Sequence, residues 1–100
     1  MSELSSRQRS HLRSLAHGLD PVVFVGHAGV TAAVVREIDD ALAARELIKV
    51  KLVGDRNERA ESAESVATRT GAALAGLIGR VAILYRPSPE PERRRIDLPS

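Results

Sequence analysis

The chain has 100 residues, 43% of them hydrophobic and 28% charged, which suits one domain with a single core. It contains no cysteine, so disulfides, thiolate metal sites and cysteine nucleophiles are excluded. The polar start matches no signal peptide and no apolar run approaches the ~20 residues of a membrane span, so a cytoplasmic protein with no membrane contact is expected. A formal net charge of +2 is too small for a protein that coats nucleic acid without discrimination, yet the charges are segregated. Arg7, Arg9 and Arg13 crowd the first segment, while Lys49, Lys51, Arg80, Arg86 and Arg93 to Arg95 lie in or beside the later apolar runs. The acids collect in Glu37, Asp39, Asp40 and in Glu58, Glu61, Glu64, which suggests one basic face turned to an anionic partner.

In chain order, Ser5 and Gln8 have capping-box spacing, and Leu12, Leu15 and Ala16 form a short apolar stripe. Gly18 and Asp20-Pro21 forbid continuation, so the first helix is expected over 6–17. Val22 to Val25 is a short continuous apolar run and reads as a central strand buried on both faces. Thr31 caps an amphipathic helix over 32–45 carrying Val34, Val35, Ile38, Ala41 and Leu42 at helical spacing. "ELIKVKLV" alternates Ile48, Val50 and Leu52 with Lys49 and Lys51, a strand with one apolar face and lysines outward. Asp55 or Asn57 is expected to cap a thinly apolar helix over about 58–70 that ends at Gly71. Residues 72–78 and 81–86 read as a hairpin across Gly79-Arg80. The last segment, 88–100, is rich in proline and arginine and is expected to be a flexible tail, with Arg95 to Leu98 available for a short edge strand.

The order α-β-α-β-α-β-β, over 1–87, defines a single α/β domain: a four-stranded mixed sheet packed with three helices. Right-handed crossovers place the helices against one face of that sheet.

Catalysis finds no support. His11 and His17 are separated by about 600° of helical rotation and make a poor metal pair. His17 is expected to interact with the last carbonyls of its helix. No nucleophile elbow, Walker loop or zinc-protease motif is present, and Asp39 and Asp40 are adjacent on a polar helix face. A non-enzymatic protein without cofactor or metal is expected.

The turn Gly26-His27-Ala28-Gly29 joins a strand to a helix start. It can be a plain corner, with Gly29 supplying a positive φ. It can also be an anion site, since glycines admit a phosphate backbone to the free amides at a helix N-terminus. No third glycine and no suitably placed acid complete a dinucleotide fingerprint.

Together, "LSSRQRSHLRSLAHGLDPVVFVGHAGVT", "ELIKVKLV" and "TGAALAGLIGRVAILYRP" closely resemble the YhbY-like CRM domain over roughly residues 4 to 87. That resemblance implies a fold like the C-terminal domain of bacterial translation initiation factor three. It also implies RNA binding through the G-x-x-G loop, and a role for single-domain bacterial members on the precursor of the large ribosomal subunit. The loop maps onto Gly26, His27, Ala28 and Gly29, with His27 where many members carry Lys or Arg, and Lys49, Lys51 and Tyr85-Arg86 also match.

The expected RNA contacts are therefore Gly26 to Gly29, Thr31, Arg7, Arg9, Arg13, Lys49, Lys51 and Arg86. Tyr85 is the one aromatic considered for base stacking, and equally a core residue. Nothing demands a dimer. The competing reading is a protein-interaction adaptor on the ribosome that docks through the acidic helix faces.

Overall fold

Side chains set the helix starts. In the computed structural model, which describes residues 4–100, Ser5 and Gln8 close a reciprocal capping box at 3.0 and 3.1 Å at the head of α1 (Ser6–Ala16). Thr31 caps α2 (Ala32–Arg45) by accepting from the Val34 amide. Asp55 and Glu58 form a second capping box on α3 (Arg56–Thr70). That helix begins two residues before the expected 58 because Asp55, not Asn57, takes the cap. It ends at Gly71 in the left-handed conformation, φ 69°.

The strands are β1 (Pro21–Phe24), β2 (Leu47–Lys51), β3 (Ala73–Ile78) and β4 (Val81–Tyr85). They form a single sheet in the order β1-β2-β4-β3, with β1 and β2 parallel and the other neighbours antiparallel. The expected element order and the mixed four-stranded sheet with three helices are both present.

Two expectations about burial need correction. β1 is an edge strand, not a central one: Val23 and Val25 are buried, but Val22 is 37% exposed and Phe24 62%. Strand alternation sends 23 and 25 one way and 22 and 24 the other, and a continuous apolar run does not say that something covers the second side.

Likewise the helices do not share one face. α2 and α3 pack over Val23, Ile48, Val50, Ala82 and Leu84 through Ile38, Leu42, Ala63 and Val66. α1 covers the opposite face, where Leu12 and Ala16 meet Leu47, Ala75, Ile83 and Tyr85. β2 and β4 supply apolar residues at both parities over half their length, and the second set requires its own cover. With 11 residues α1 covers only part of it.

Residues 88–100 dock rather than hang loose, and they add no strand. Ile96 and Leu98 pack on the α1 layer beside Leu4. The Gln8 side-chain amide donates to the Pro99 carbonyl, 3.0 Å. The Glu46 carboxylate, 3% exposed, accepts from the amides of Ser88 and Arg95, both at 2.7 Å. Glu46 caps the end of α2 at φ 66°, a strained setting for a residue with a Cβ, and the two bonds to the tail help to hold it there.

Candidate nucleic-acid interface

The glycine loop leaves the sheet at the end where β1 and β2 finish. Its incoming stem is pinned by the Val25 amide, which donates to the Lys51 carbonyl at 2.8 Å. The turn closes with the Gly29 amide on the Gly26 carbonyl, 3.0 Å. Its outgoing stem is held by Arg69 of α3, whose guanidinium donates to the Val30 carbonyl at 2.8 Å. That anchor is a long-range contact with no signature in the sequence.

Between these pins Gly26, His27 and Ala28 are exposed. The two glycines differ. Gly29 has φ +80°, so the turn itself demands glycine there. Gly26 has no such angle, and a Cβ at it would meet nothing within 4 Å. The fold alone does not require Gly26; a bare backbone facing solvent is what it supplies. Thr31 then opens α2, whose first turn carries no acidic side chain, leaving its positive end uncompensated.

Lys51 is the last residue of β2, at the loop end, and is exposed; among the described residues its ammonium has no hydrogen-bond or ion-pair partner. Lys49 lies on the same sheet face and donates to the Leu19 carbonyl at 2.9 Å. From α1, Arg9, Arg13 and His17 follow at spacings of four, which aligns them on one side of the helix. Arg13 reaches across β3: it lies over Gly76, where a Cβ would sit 2.8 Å from its Cδ, and donates to the Ala75 carbonyl at 3.1 Å. His17 does not cap its helix through the ring; its backbone amide returns to Ser14, while its side chain borders a groove with Arg13 and Lys49.

The remaining expected contacts divide. Arg9 is partly buried and holds the Leu4 carbonyl at 2.7 Å. Arg7 is exposed, off the Arg9–Arg13 side of the helix. Arg86 stands apart, at the other end of the sheet. It pairs with Asp39, 2.5 Å, and donates to the carbonyls of Thr70 at 2.7 Å and Asp39 at 3.1 Å, tying β4 to both α2 and α3. The tail arginines lie at that same end: Arg93 pairs with Glu90 at 3.1 Å and Arg94 donates to the Ser88 carbonyl at 2.8 Å.

Tyr85 is 2% exposed, inside the α1 layer. Burial, then the nearby Glu46 carboxylate, raises its phenol above the usual 10.0, with Arg94 opposing. No base can reach it. Among the described residues no three His, Asp or Glu side chains gather to hold a metal ion, and no helix is long and apolar enough to cross a membrane.

The chain is similar to known proteins over nearly its whole length. The chain is 43% identical over 100 residues to a Haemophilus influenzae protein named "RNA-binding protein", covering 99% of this chain and 98% of the other. It is 37% identical over 97 residues to the candidate RNA-binding protein YqeI of Bacillus subtilis, covering 96% and 99% of the two chains. The solution structure of the hypothetical Staphylococcus aureus protein SAV1595, a candidate RNA-binding protein, superposes with a TM-score of 0.84 at 37% identity, covering 96% and 99%. These relatives are named for binding and not for catalysis. The CRS1 / YhbY (CRM) domain model matches residues 4–86, and the chain belongs to that family.

Proposed function

We propose that this protein binds RNA, that its target is ribosomal RNA of the large-subunit precursor, and that it acts as a monomer in ribosome assembly in the cytoplasm. The observation that carries the reading is the exposed Gly26–Ala28 backbone, set between the N-terminus of α2 and Lys51, whose ammonium has no partner among the described residues. Family membership supports the RNA partner, and resemblance to single-domain bacterial members supports the ribosomal one. Phosphates approach the loop and the first amides of α2, and Lys51, Lys49 and Arg13 neutralise their neighbours. Arg86 has a structural role in this reading, and Arg7 and Arg9 contribute at the margin.

The test is a titration against fragments of large-subunit ribosomal RNA at two salt concentrations, beside a Gly26→Asp/Gly29→Asp variant confirmed to be folded. About four engaged phosphates give a slope of log K against log salt near −3, a little steeper on duplex. The loop variant is expected to lose affinity; unchanged affinity reduces the turn to a strand-to-helix corner. The adaptor reading, with the exposed Glu37, Asp40, Glu61 and Glu64 as its docking surface, requires instead that Lys49→Glu/Lys51→Glu leave RNA binding untouched.

A further inference from the structure

One row of side chains on the α1 side of the sheet remains uncovered. The strand registers align Phe24 with Lys51, Lys51 with Val81, and Val81 with Ile78. Registered residues on neighbouring strands project to the same face, and these four alternate with Val23, Val50, Ala82 and Leu77, which face the α2–α3 layer. The row is therefore apolar except for one cation, and its two ends are wide open: Phe24 is 62% exposed and Ile78 61%. α1 stops short of it, over the Leu47, Ala75 and Ile83 side of the same face.

The core does not need a phenyl group at 24. Val23 and Val25 carry β1 into the interior, and a polar residue between them would leave that packing unchanged. An exposed ring on an edge strand is instead a liability, unless a partner uses it. The surroundings specify the partner's chemistry. Lys51 stands on the next strand, about 4.8 Å away, with Lys49 beyond it on the same face of β2. Two residues after the ring, Gly26 presents exposed backbone and space for a neighbouring chain. A flat hydrophobic face, a cation within one side chain's reach and a bare backbone beside them match a nucleotide: a base to stack and a phosphate to neutralise.

We propose that Phe24 is a stacking platform for an unpaired base of single-stranded RNA, with Lys51 beside it on the phosphate. This deepens the RNA-binding reading above and rests on it; it adds a preference for unpaired RNA and moves the stacking role from the buried Tyr85 to β1.

The chain has no tryptophan, so Phe24→Trp introduces a single indole reporter at the platform. The probes are a single-stranded RNA of about ten nucleotides, the same strand with abasic sugars throughout, and its duplex. The indole emission of Phe24→Trp is expected to be quenched by the single strand and not by the abasic strand. Phe24→Ala is expected to weaken single-strand binding between about 5-fold and 150-fold, the range that loss of one stacked base corresponds to, with duplex affinity changed less than twofold. Phe24→Leu, which keeps apolar area without the ring, should behave like Phe24→Ala. Because the ring is exposed, all three variants should keep the wild-type circular dichroism spectrum.

Wild-type affinity in Phe24→Ala, together with an indole that does not respond, overturns the platform while RNA binding by the lysines stands. If the wild type binds the large-subunit fragments but none of these probes, the platform falls and the RNA-binding reading stands; if it binds neither, both fall together. Sedimentation of the wild type as a dimer that Phe24→Ala converts to a monomer also overturns it, since the row then belongs to a second copy.

Discussion

At the loop end of the sheet Lys51 and the Gly26–Ala28 backbone face outward, and among the described residues the Lys51 ammonium has no partner. At the opposite end Arg86 pairs with Asp39, Glu46 accepts the backbone amides of Ser88 and Arg95, Arg93 pairs with Glu90, and Arg94 donates to the Ser88 carbonyl. Both ends read as basic in the sequence. The difference lies in what surrounds each cation. Arg86 sits between the carboxylate and carbonyl of Asp39, in the middle of α2, and the Thr70 carbonyl that ends α3, and these take up its fork of donors. Lys51 ends a strand whose registered neighbours on that face, Phe24 and Val81, are apolar, so among the described residues nothing competes for its charge. A basic residue is freest to recognise a partner where the fold has supplied it with no anion or carbonyl, and Lys51 meets that condition more fully than Lys49 or Arg13, each of which already donates to one carbonyl.

The most severe way to break this contrast is charge reversal at the loop end. Lys49→Glu/Lys51→Glu is expected to reduce RNA affinity by about 100-fold or more at low salt, with a loss of stability of only about 1 kcal/mol, from the Lys49 bond to the Leu19 carbonyl, in urea denaturation. Reversing Arg93 and Arg94 instead should change affinity far less. Equal losses in the two titrations would erase the distinction between the ends.

The converse substitution, Arg86→Ala, is expected to destabilise the fold by about 1–3 kcal/mol, since it removes the ties from β4 to α2 and leaves the Thr70 carbonyl without its donor. Urea denaturation measures this, and RNA affinity of the folded variant should stay within twofold. Inside the loop, Gly29→Ala should cost about 1–2 kcal/mol for its positive φ. Gly26→Ala should fall within about 0.5 kcal/mol of wild type, as open-space surface substitutions do. A Gly26→Ala variant that unfolds easily would mean that the glycine serves the corner and not the surface.

The smallest effect concerns Tyr85, the only tyrosine in the chain. Its folded phenol holds its proton to higher pH than an unfolded one, because burial and Glu46 both disfavour phenolate. The stabilisation from the neutral phenol is therefore complete below about 10 and is lost as pH rises through the folded value. Ultraviolet titration of the native protein should show ionisation beginning above the usual range; an ordinary titration curve would contradict the burial of Tyr85 at the tied end.

The local features were legible because they act over a few residues. Ser5 with Gln8, Thr31, and Asp55 with Glu58 each close a bond three residues away, so helix starts follow from spacing alone. Period-two alternation likewise turns Lys49 and Lys51 away from Ile48, Val50 and Leu52 whatever the sheet does. The family resemblance located the glycine loop, and Gly29's positive φ agrees with its place in the turn.

What alternation cannot say is which side has a cover. Val22 to Val25 looked buried on both faces, yet strand order left β1 at the edge and the short α1 left Phe24 bare. The sequence considered Tyr85 for stacking; packing under α1 buried it and exposed the other aromatic. Arg86 and the tail looked available, until Asp39, Thr70 and Glu46 met them across long stretches of chain. By itself the sequence determined the elements, their caps, the glycine turn and the inward and outward faces of each strand, because those follow from bonds and sterics within one segment. Only the tertiary structure decided which outward faces stay open and which cations stay free, because strand order and helix placement arise from contacts between segments far apart in the chain.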